Sequence, residues 1–472
     1  MQQLMRTIAI VGGGFSGTVL AANLLRQATH TPTRLLLIER EHEIGCGVAY
    51  ENHALHRRLL LNVTAGRMSA TTRSPLEFFH FAQRRLPTVT IEDFLPRALY
   101  GDYLQEVLLA AELCAARSIR LERLRGEVVR VKRIDRSRPL QLGLSDGTTI
   151  VADQAIIASG NPPPASLAVC AALGNGYIDN PWQAGALDGV AGEVLLIGTS
   201  LTMADIVLTL AERPEITRIH ALSRHGLVPP RQTPFRPDAF KGDGSALLLV
   251  ASSSLRSLSR AVRGLAEEAE SAGGDWREAV TFVRNLAPRI WQRLPERDRA
   301  RFLRHLRAYW DIHRHRLPPQ TVVRLHELRD RGRLHIHAAR IEQCSQAHGR
   351  IRILHRRRGH AHSGELLVDR IINCTGPDYD LARTRDPLWR SLVDSGLAVR
   401  DPLGLGVKTG ANGALFDADG WPGPHLFYLG PMLRADHWEA TAAAELRVHA
   451  EQLATALMGG DREAGNLRRA AT

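Results

Sequence analysis

The chain has 472 residues, of which 44% are hydrophobic, and its formal net charge is +12. This length is enough for two or three domains, and the hydrophobic fraction is that of a soluble globular protein. No apolar run approaches the roughly 18 residues that a membrane span needs, and no signal peptide precedes the first predicted strand. We therefore expect a cytoplasmic protein without a membrane partner.

The positive charge comes almost entirely from arginine, because the only lysines are Lys132, Lys241 and Lys408. This bias, together with abundant Ala and Leu, indicates a GC-rich genome more than a surface selected for nucleic acid. For runs such as Arg356–Arg358 we predict solvated loop charges and no nucleic-acid partner. The excess charge helps to attract anionic cofactors.

A glycine-rich turn near the start of the chain lies between a predicted strand, Thr7–Val11, and a predicted helix, Thr18–Gln27. Its glycines have the spacing G-x-G-x-x-G and are Gly12, Gly14 and Gly17. The first glycine permits a tight turn, the second lets the backbone approach a pyrophosphate, and the third lets helix and strand pack closely. The helix N-terminus then directs free N–H groups at the phosphates.

The next predicted strand, Arg34–Ile38, ends in Glu39. A carboxylate at this position accepts hydrogen bonds from both ribose hydroxyls and repels a 2′-phosphate. Strand, turn, helix and acid thus occur in the order that a dinucleotide site requires. Because the motif begins within a dozen residues of the N-terminus, as it does in flavoproteins with two dinucleotides, we predict FAD at this site.

Three later apolar strands, each followed by a small residue or a glycine, predict where the chain leaves and re-enters the flavin domain. They are Val151–Ile157 before Ser159 and Gly160, Val368–Asn373 before Gly376, and Leu426–Leu429 before Gly430. An Ala-rich helix is predicted over Trp438–Met458, with its N-terminus toward the pyrimidine edge of the flavin. Many flavoproteins have Gly-Asp where this chain has Gly430-Pro431, so that ribityl contact is missing or supplied elsewhere.

A second strand–turn–helix segment begins with Val194–Ile197 and fits the form G-x-[GS]-x-[ST]-x-x-D. The matching residues are Gly198, Ser200, Thr202 and Asp205. The following strand, Ile219–Leu222, leads to Arg224, and a cation there suits a 2′-phosphate. We predict NADPH in preference to NADH at this second site. The alternative is a vestigial unit that binds nothing, since the middle and third glycines are replaced by Ser200 and Met203.

The cysteines are Cys46, Cys114, Cys170, Cys344 and Cys374, and no two have the spacing C-x-x-C or C-x-x-x-x-C. This argues against a disulfide reductase, whose redox-active pair would lie near the flavin. No His, Cys and Asp cluster has metal-binding spacing, so we predict no metal.

The predicted fold class is α/β, with two Rossmann-like dinucleotide-binding domains and a helical insertion in the second. We predict the FAD domain over residues 1–160 and 366–472 and the NAD(P)H domain over 161–365. The insertion covers about 231–318, with helices over Ser253–Ala272, Trp276–Leu294 and Glu296–Arg316. Its basic end, Trp310–Arg316, is either a solvated helix end or a site for NADPH phosphates or an anionic substrate.

The motifs together resemble the bacterial YdhS-like FAD/NAD(P)-binding proteins, relatives of the two-dinucleotide flavin monooxygenases. The residues that carry this resemblance are Gly12–Gly17, Gly47–Tyr50, Leu61–Val63, Met68-Ser69, Pro96-Arg97, Tyr100-Gly101, Gly198–Asp205, Ser223–Gly226, Trp310, His313–Arg316, Asn373–Pro377, Gly430-Pro431 and Trp438–Thr441. The resemblance implies a FAD-bearing, NADPH-using oxidoreductase and names no substrate. The signature F-x-G-x-x-x-H is absent after the second turn, which argues against a standard Baeyer–Villiger enzyme.

We therefore predict a monooxygenase in which NADPH reduces FAD and a C4a-(hydro)peroxyflavin transfers one atom of O2 to a small-molecule nucleophile, at N, S or activated C. One alternative is a flavin dehydrogenase or reductase that passes electrons to a quinone or a protein. Another is a non-catalytic redox-sensing or RNA-associated flavoprotein. A homo-oligomer is possible on this sequence.

The candidate catalytic residues are Asn62, Arg67 and Trp438. The residues predicted to contact the two cofactors are Gly12, Gly14, Phe15, Ser16, Gly17, Glu39, Arg40, Asn62, Val128, Ser159, Gly160, Gly198, Thr199, Ser200, Thr202, Arg224, Gly376, Gly430, Trp438 and Thr441.

Overall fold

The computed structural model describes residues 5–27, 29, 31–40, 43–51, 59–136, 139–234 and 240–469. The chain forms two compact units. The first unit is Met1–Asn161 with Tyr379–Thr472, and the second is Pro162–Asp378. Each contains parallel strands joined by helices, which confirms the predicted α/β class.

The strands are named in chain order. They are β1 (Arg6–Val11), β2 (Thr33–Glu39), β3 (Ile119–Arg125), β4 (Val128–Arg133), β5 (Leu140–Leu144), β6 (Thr149–Ala152), β7 (Gln154–Ile157), β8 (Tyr177–Ile178), β9 (Gly192–Ile197), β10 (Ile216–Ser223), β11 (Leu334–Ala347), β12 (Arg350–Arg357), β13 (Ser363–Val368), β14 (Arg370–Asn373), β15 (Ala414–Phe416) and β16 (Pro422–Tyr428).

The helices are named in the same way. They are α1 (Phe15–Leu25), α2 (Gly47–Tyr50), α3 (Glu77–Arg85), α4 (Arg97–Leu113), α5 (Leu201–Ala211), α6 (Gly244–Ser253), α7 (Leu255–Ser271), α8 (Trp276–Arg293), α9 (Glu296–His305), α10 (Arg307–Arg314), α11 (Pro319–Asp330), α12 (Pro387–Asp394) and α13 (Ala443–Arg469), with 3₁₀ helices at Ala65–Arg67, Ala168–Gly176, Ala411–Gly413 and Pro431–Ala435.

The sheet of the first unit has the strand order β15-β16-β7-β1-β2-β3, and β16, β7, β1, β2 and β3 are parallel. Apart from Arg6, Thr7 and Gln154 at their starts, the inner strands β1 and β7 are apolar and buried, as is typical of parallel strands covered on both faces. Helix α1 is buried from Ser16 to Leu25 and packs against α4 and α13. The carboxyl ends of the parallel strands therefore meet at one edge of the sheet, where open α/β sheets bind ligands.

The sheet of the second unit has the order β13-β12-β11-β10-β9-β14-β8. Strands β11, β10, β9, β14 and β8 are parallel, while β12 and β13 continue from β11 as an antiparallel meander. A small antiparallel sheet, β4-β5-β6, belongs to the first unit. Within the described ranges, no helix is both long enough and apolar enough to span a bilayer.

The second predicted domain boundary, at residues 365 and 366, is wrong. Strand β14 pairs with β9 and β8, so it belongs to the sheet of the second unit. The chain returns to the first unit only at Tyr379. The β7 and β14 segments resemble each other in sequence because the two strands occupy equivalent positions in their own sheets. Each follows a hairpin strand, and each lies beside a glycine turn. Which cofactor each unit binds stays a prediction.

Two predicted helices also differ from the structure. The helix predicted over Glu296–Arg316 is two helices, α9 and α10, which meet at Leu306. The last helix begins at Ala443 and not at Trp438. Trp438 packs against the Arg434 guanidinium, whose carbon lies 4.4 Å from the ring centroid, and Glu439 is also buried. Tertiary packing here overrides the helix propensity of the Ala-rich segment.

The basic end of the insertion is not simply a solvated helix end. The Arg316 side chain is buried, and its guanidinium lies 5.6 Å from the Trp276 ring centroid. Its Nε donates to the His313 carbonyl and its Nη1 donates to the Gln232 side chain. Burial, and then the charges of the neighbouring arginines, lower the pKa of Arg316 to about 10. These contacts fasten the end of the insertion to Trp276.

Candidate dinucleotide sites

The first glycine turn has the tight geometry that its sequence predicts. Gly12 has φ +109°, and a Cβ added there would lie 2.7 Å from the Ala158 carbonyl oxygen. A Cβ on Gly17 would lie only 1.9 Å from the Gly12 carbonyl oxygen. Side chains at these two positions would therefore separate β1, β7 and α1. The turn brings the start of α1 to the crevice between β1 and β7, where the strand order reverses.

The N-terminus of α1 is open to an anion. Gly14 is the N-cap residue, and within the described part of the chain no side chain caps this helix. The first N–H groups of such a helix need a partner and favour negative charge. The segment before α2 lies against the turn, because the Gly45 N–H donates to the Gly13 carbonyl. The glycine turn and the uncapped start of α1 together fit a pyrophosphate.

Glu39 lies at the end of β2, as predicted, and also supports the turn. Its Oε2 accepts a hydrogen bond from the Gly13 N–H, and its Oε1 accepts one from the Arg40 N–H. The Arg40 side chain lies at the surface, 3.6 Å from the Glu127 carboxylate. The carboxylate of Glu39 thus lies beside the glycine turn, where a ribose would follow the pyrophosphate. Its contact with ribose stays a prediction.

Several other predicted residues lie at the same edge of the first sheet. The Ser159 Oγ accepts a hydrogen bond from the Trp389 indole, and Gly160 follows it in open surroundings. A Cβ on Gly430 would lie 2.7 Å from the Ser159 carbonyl oxygen, so the chain after β16 passes close to the chain after β7. Phe15 and Ser16 form the first turn of α1, and Ser16 is buried. Val128, by contrast, is buried at the start of β4, in the small antiparallel sheet.

The candidate catalytic residues occupy different surroundings. Asn62 is half-buried and precedes the 3₁₀ helix Ala65–Arg67, and Arg67 is exposed at the end of that helix. Trp438 is buried against Arg434, which favours a packing role. Thr441 lies in the turn before α13, where its N–H donates to the Glu439 carbonyl. The contact of these residues with a cofactor or substrate stays a prediction.

Tyr100 is a further candidate binding residue, to which the sequence motifs gave no role. Its side chain is fully buried, and its hydroxyl has no hydrogen-bond partner among the described residues. Its ring stacks on Phe15, the first residue of α1, with centroids 6.3 Å apart. Burial raises the pKa of Tyr100 well above its usual value, so the hydroxyl remains a donor. A buried donor without a partner beside the glycine turn fits a bound polar group. The sequence signal that could have indicated Tyr100 is the pair Tyr100-Gly101, which is among the residues that carry the family resemblance.

The second turn repeats the geometry of the first. Gly198 has φ +121°, and a Cβ there would lie 2.2 Å from the Cys374 carbonyl oxygen at the end of β14. Ser200 is the N-cap of α5, yet its side chain makes no capping bond within the described structure. Met203 replaces the third glycine and is buried. This turn therefore keeps the glycine that its backbone requires, and α5 presents an uncapped N-terminus like that of α1.

The remaining residues of the second site have separate roles. The Thr199 hydroxyl donates to the Leu227 carbonyl and lies 2.8 Å from the Ser223 Oγ, so it ties the turn to the chain after β10. Thr202 lies in the first turn of α5. Gly376 follows β14 with φ +83° and open surroundings. All of these positions lie at the carboxyl edge of β9, β10 and β14.

Cationic side chains converge at the end of β10. Arg224 is exposed there, and the Arg358 Nη1 lies 3.1 Å from the His225 Nδ1. Ala338 on β11 is level with Ser223, and Arg340 follows it. Burial, and then the charges of Arg358, Arg224 and Arg340, hold the pKa of His225 below its usual value. We call Arg224, Arg340 and Arg358 the arginine cluster.

The sequence predicted only Arg224 of this cluster. Arg358 belongs to the run Arg356–Arg358, which was predicted as solvated charge, yet it contacts His225 although 133 residues separate them. No local pattern could show this, because β11 and β12 bring Arg340 and Arg358 to β10 through sheet pairing.

Comparison with known proteins agrees with this geometry. Residues 9–162 match a protein-family model described as FAD-NAD(P)-binding. The Escherichia coli K12 protein YdhS, which is uncharacterised, is 23% identical over 321 residues. The chain is a homologue of YdhS. The match spans 59% of this chain and 57% of the length of YdhS. The prediction of an FAD/NAD(P)-binding domain in the first part of the chain is confirmed.

Solved structures resemble almost the whole chain. The ornithine N-hydroxylase of Kutzneria sp. 744, solved with reduced FAD, NADP+ and L-ornithine, has a TM-score of 0.62 at 15% identity and covers 96% of this chain and 99% of its own. The ornithine hydroxylase PvdA of Pseudomonas aeruginosa has a TM-score of 0.62 at 15% identity, with coverage of 97% and 99%. The cadaverine monooxygenase DfoA of Erwinia amylovora has a TM-score of 0.60 at 13% identity, with coverage of 96% and 94%. At these identities the likeness shows the fold alone.

Proposed function

We propose that this protein is an FAD-dependent, NADPH-using monooxygenase that transfers one atom of O2 to a small-molecule nucleophile, and that the nucleophile is an amine nitrogen. The observation that carries the proposal is the pair of equivalent glycine turns, each before an uncapped helix, on two sheets of one chain. A chain with two dinucleotide sites is suited to pass a hydride from nicotinamide to flavin. The amine substrates in the names of the three structural neighbours support the choice of nitrogen.

The first turn is the proposed FAD site. The N–H groups at the start of α1 bind the pyrophosphate, and Gly12 and Gly17 allow the approach. Glu39 accepts hydrogen bonds from the ribose, and the Tyr100 hydroxyl donates one to the bound molecule. When bound, the two cofactors supply the hydride transfer and the activation of O2. Asn62 and Arg67 are the proposed residues for orienting the substrate.

The second turn is the proposed NADPH site. The N-terminus of α5 binds the pyrophosphate, and the arginine cluster binds the 2′-phosphate by charge-assisted hydrogen bonds. A carboxylate at the end of β10 would repel that phosphate, and the chain has Ser223-Arg224 there. This arrangement supports a preference for NADPH over NADH.

The proposal is tested on the FAD-loaded protein with NADPH, O2 and a panel of primary diamines, basic amino acids, sulfides and ketones. We expect one primary amine to give a hydroxylamine, and hydrogen peroxide release to fall by the same amount as product rises. Product by mass spectrometry and peroxide by a coupled assay give the two quantities. If every compound in the panel gave hydrogen peroxide in an amount equal to the NADPH consumed, the proposal of an oxygenase would be contradicted. Rapid NADPH oxidation with a quinone and none with O2 would instead indicate a dehydrogenase.

Replacing Arg224 by alanine should weaken the preference for NADPH. The lost interaction is a hydrogen bond between two charged groups, worth about 1.5–3 kcal/mol, so we expect KM for NADPH to rise about 10- to 100-fold. KM for NADH should change little, because NADH has no 2′-phosphate. Arg331→Ala, at an exposed arginine after α11 in the same unit, is the matched control. An unchanged ratio of the two KM values in Arg224→Ala would contradict the assignment.

A further inference from the structure

Two cysteines that are distant in the sequence lie side by side in the second unit. The Sγ atoms of Cys170 and Cys344 are 4.0 Å apart, although 174 residues separate them in the chain. Cys170 is fully buried in the 3₁₀ helix Ala168–Gly176, and Cys344 is half-buried on β11. The spacing rules applied to the sequence could not find this pair, because sheet and helix packing brings the two segments together.

Strand pairing and apolar packing hold the two thiols in place. Cys344 pairs with Ile353 in the β11–β12 ladder. Cys170 belongs to an apolar cluster with Leu173 and Ile351. The Gln346 side chain donates to the Leu173 carbonyl, which further fastens the 3₁₀ helix to β11. A disulfide needs the two sulfur atoms about 2 Å closer than they are, so only a small approach separates the two thiols from a bond.

The surroundings give the two thiols different reactivity. The Cys170 S–H donates to the Cys344 sulfur, and this hydrogen bond lowers the pKa of Cys344 and raises that of Cys170. Burial raises the pKa of Cys46 to about 12 and holds the pKa of Cys374 well above its usual value. The thiolate is the nucleophilic form of cysteine, so Cys344, which is also partly exposed, is the sulfur that an oxidant meets first.

We propose that Cys170 and Cys344 are a peroxide-sensitive pair that forms a reversible disulfide. The Cys344 thiolate attacks the O–O bond of a hydroperoxide, which yields a sulfenic acid on Cys344 and releases an alcohol, or water from hydrogen peroxide. The Cys170 thiol then attacks the sulfenic sulfur, so that the S–S bond forms, the S–O bond breaks and water leaves. Two thiols and one hydroperoxide thus become one disulfide, one alcohol and one water.

The link would join the start of the second unit to its central sheet. The 3₁₀ helix follows Pro162–Pro164 closely, and this segment is already bonded to the end of the unit, since the Asp378 N–H donates to the Pro163 carbonyl. A crosslink across a long loop restricts the unfolded chain, so the oxidised second unit should unfold at a higher temperature. This inference needs neither FAD nor NADPH and stands independently of the proposed oxygenase.

The test exposes the whole, FAD-loaded protein to hydrogen peroxide, blocks free thiols and maps peptides without reduction. We expect one crosslinked pair of peptides, containing Cys170 and Cys344, which disappears after treatment with dithiothreitol, and an upward shift in the melting temperature that disappears with it. Cys114→Ser, at an exposed cysteine, is the control and should form the same link. In Cys170→Ser the reaction should stop at a Cys344 sulfenic acid that dimedone labels.

Measurements on the wild-type protein alone can overturn the proposal, so the test does not require any variant to fold. Dimedone labelling of wild-type Cys344 without any crosslink would show that Cys170 does not reach it. Oxidation that leaves both cysteines as free thiols, or links a different pair, would also overturn it.

Discussion

Replacing Gly17 by alanine should leave the purified protein without FAD. The new Cβ would lie 1.9 Å from the Gly12 carbonyl oxygen and 3.2 Å from the Ile10 Cγ2, so α1 must move away from the turn. Its N–H groups then no longer point at the pyrophosphate. We expect the FAD affinity to fall about 100-fold or more, equivalent to about 3 kcal/mol. Flavin absorbance per protein and calorimetric titration of the apoprotein with FAD measure the effect.

Gly459→Ala is the matched control for this variant. Gly459 lies in α13 of the same unit, and no described atom lies within 4 Å of the added Cβ. Alanine in a helix interior stabilises by about 0.5–1 kcal/mol relative to glycine, so this variant should keep its FAD. Circular dichroism separates local loss of the site from global unfolding. A Gly17→Ala protein with a full complement of FAD would mean that FAD does not bind at this turn.

Replacing Gly198 by alanine should impair the use of NADPH without loss of bound FAD. Gly198 has φ +121°, which L-residues rarely adopt, and its new Cβ would lie 2.2 Å from the Cys374 carbonyl oxygen. The turn between β9 and α5 must distort, so the α5 N-terminus loses its position. We expect FAD to remain bound, while anaerobic reduction by NADPH slows on the order of 100-fold, equivalent to about 3 kcal/mol. Stopped-flow absorbance of the flavin measures the rate.

Two controls make this result specific. Gly264→Ala on α7, where no described atom lies within 4 Å of the added Cβ, should be reduced at the wild-type rate. Dithionite should bleach the flavin of Gly198→Ala as fast as that of the wild type, because it needs no nucleotide site. If NADPH reduced Gly198→Ala at the wild-type rate, NADPH would not bind at this turn. That result would support the interpretation of the second unit as vestigial.

Both glycine turns were predictable because their chemistry is local. Gly12 and Gly198 each follow a short apolar strand, and only a residue without a Cβ fits where the turn meets a carbonyl of the neighbouring strand. Glu39 and Arg224 were predicted in the same way, because in each unit they follow the strand that comes next after the turn and its helix, and their roles stay predictions. The replacement of the third glycine by Met203 did not abolish the geometry.

Long-range pairing decided the rest. Strand β14 looks like a returning flavin-domain strand in sequence, yet it pairs with β9, and hydrophobic pattern alone does not specify the partner of a buried strand. The start of α13 moved from Trp438 to Ala443 because the Trp438 ring packs on Arg434. Propensity is a weak local preference that such packing overrides.

The sequence by itself determined the α/β class, the two strand–turn–helix units and the glycines on which they depend, because these follow from the spacing of a few neighbouring residues. Only the tertiary structure decided which sheet holds β14, which arginines join Arg224 and which cysteine faces Cys344. Those relations join segments more than 100 residues apart, and they exist only once the sheets have ordered their strands.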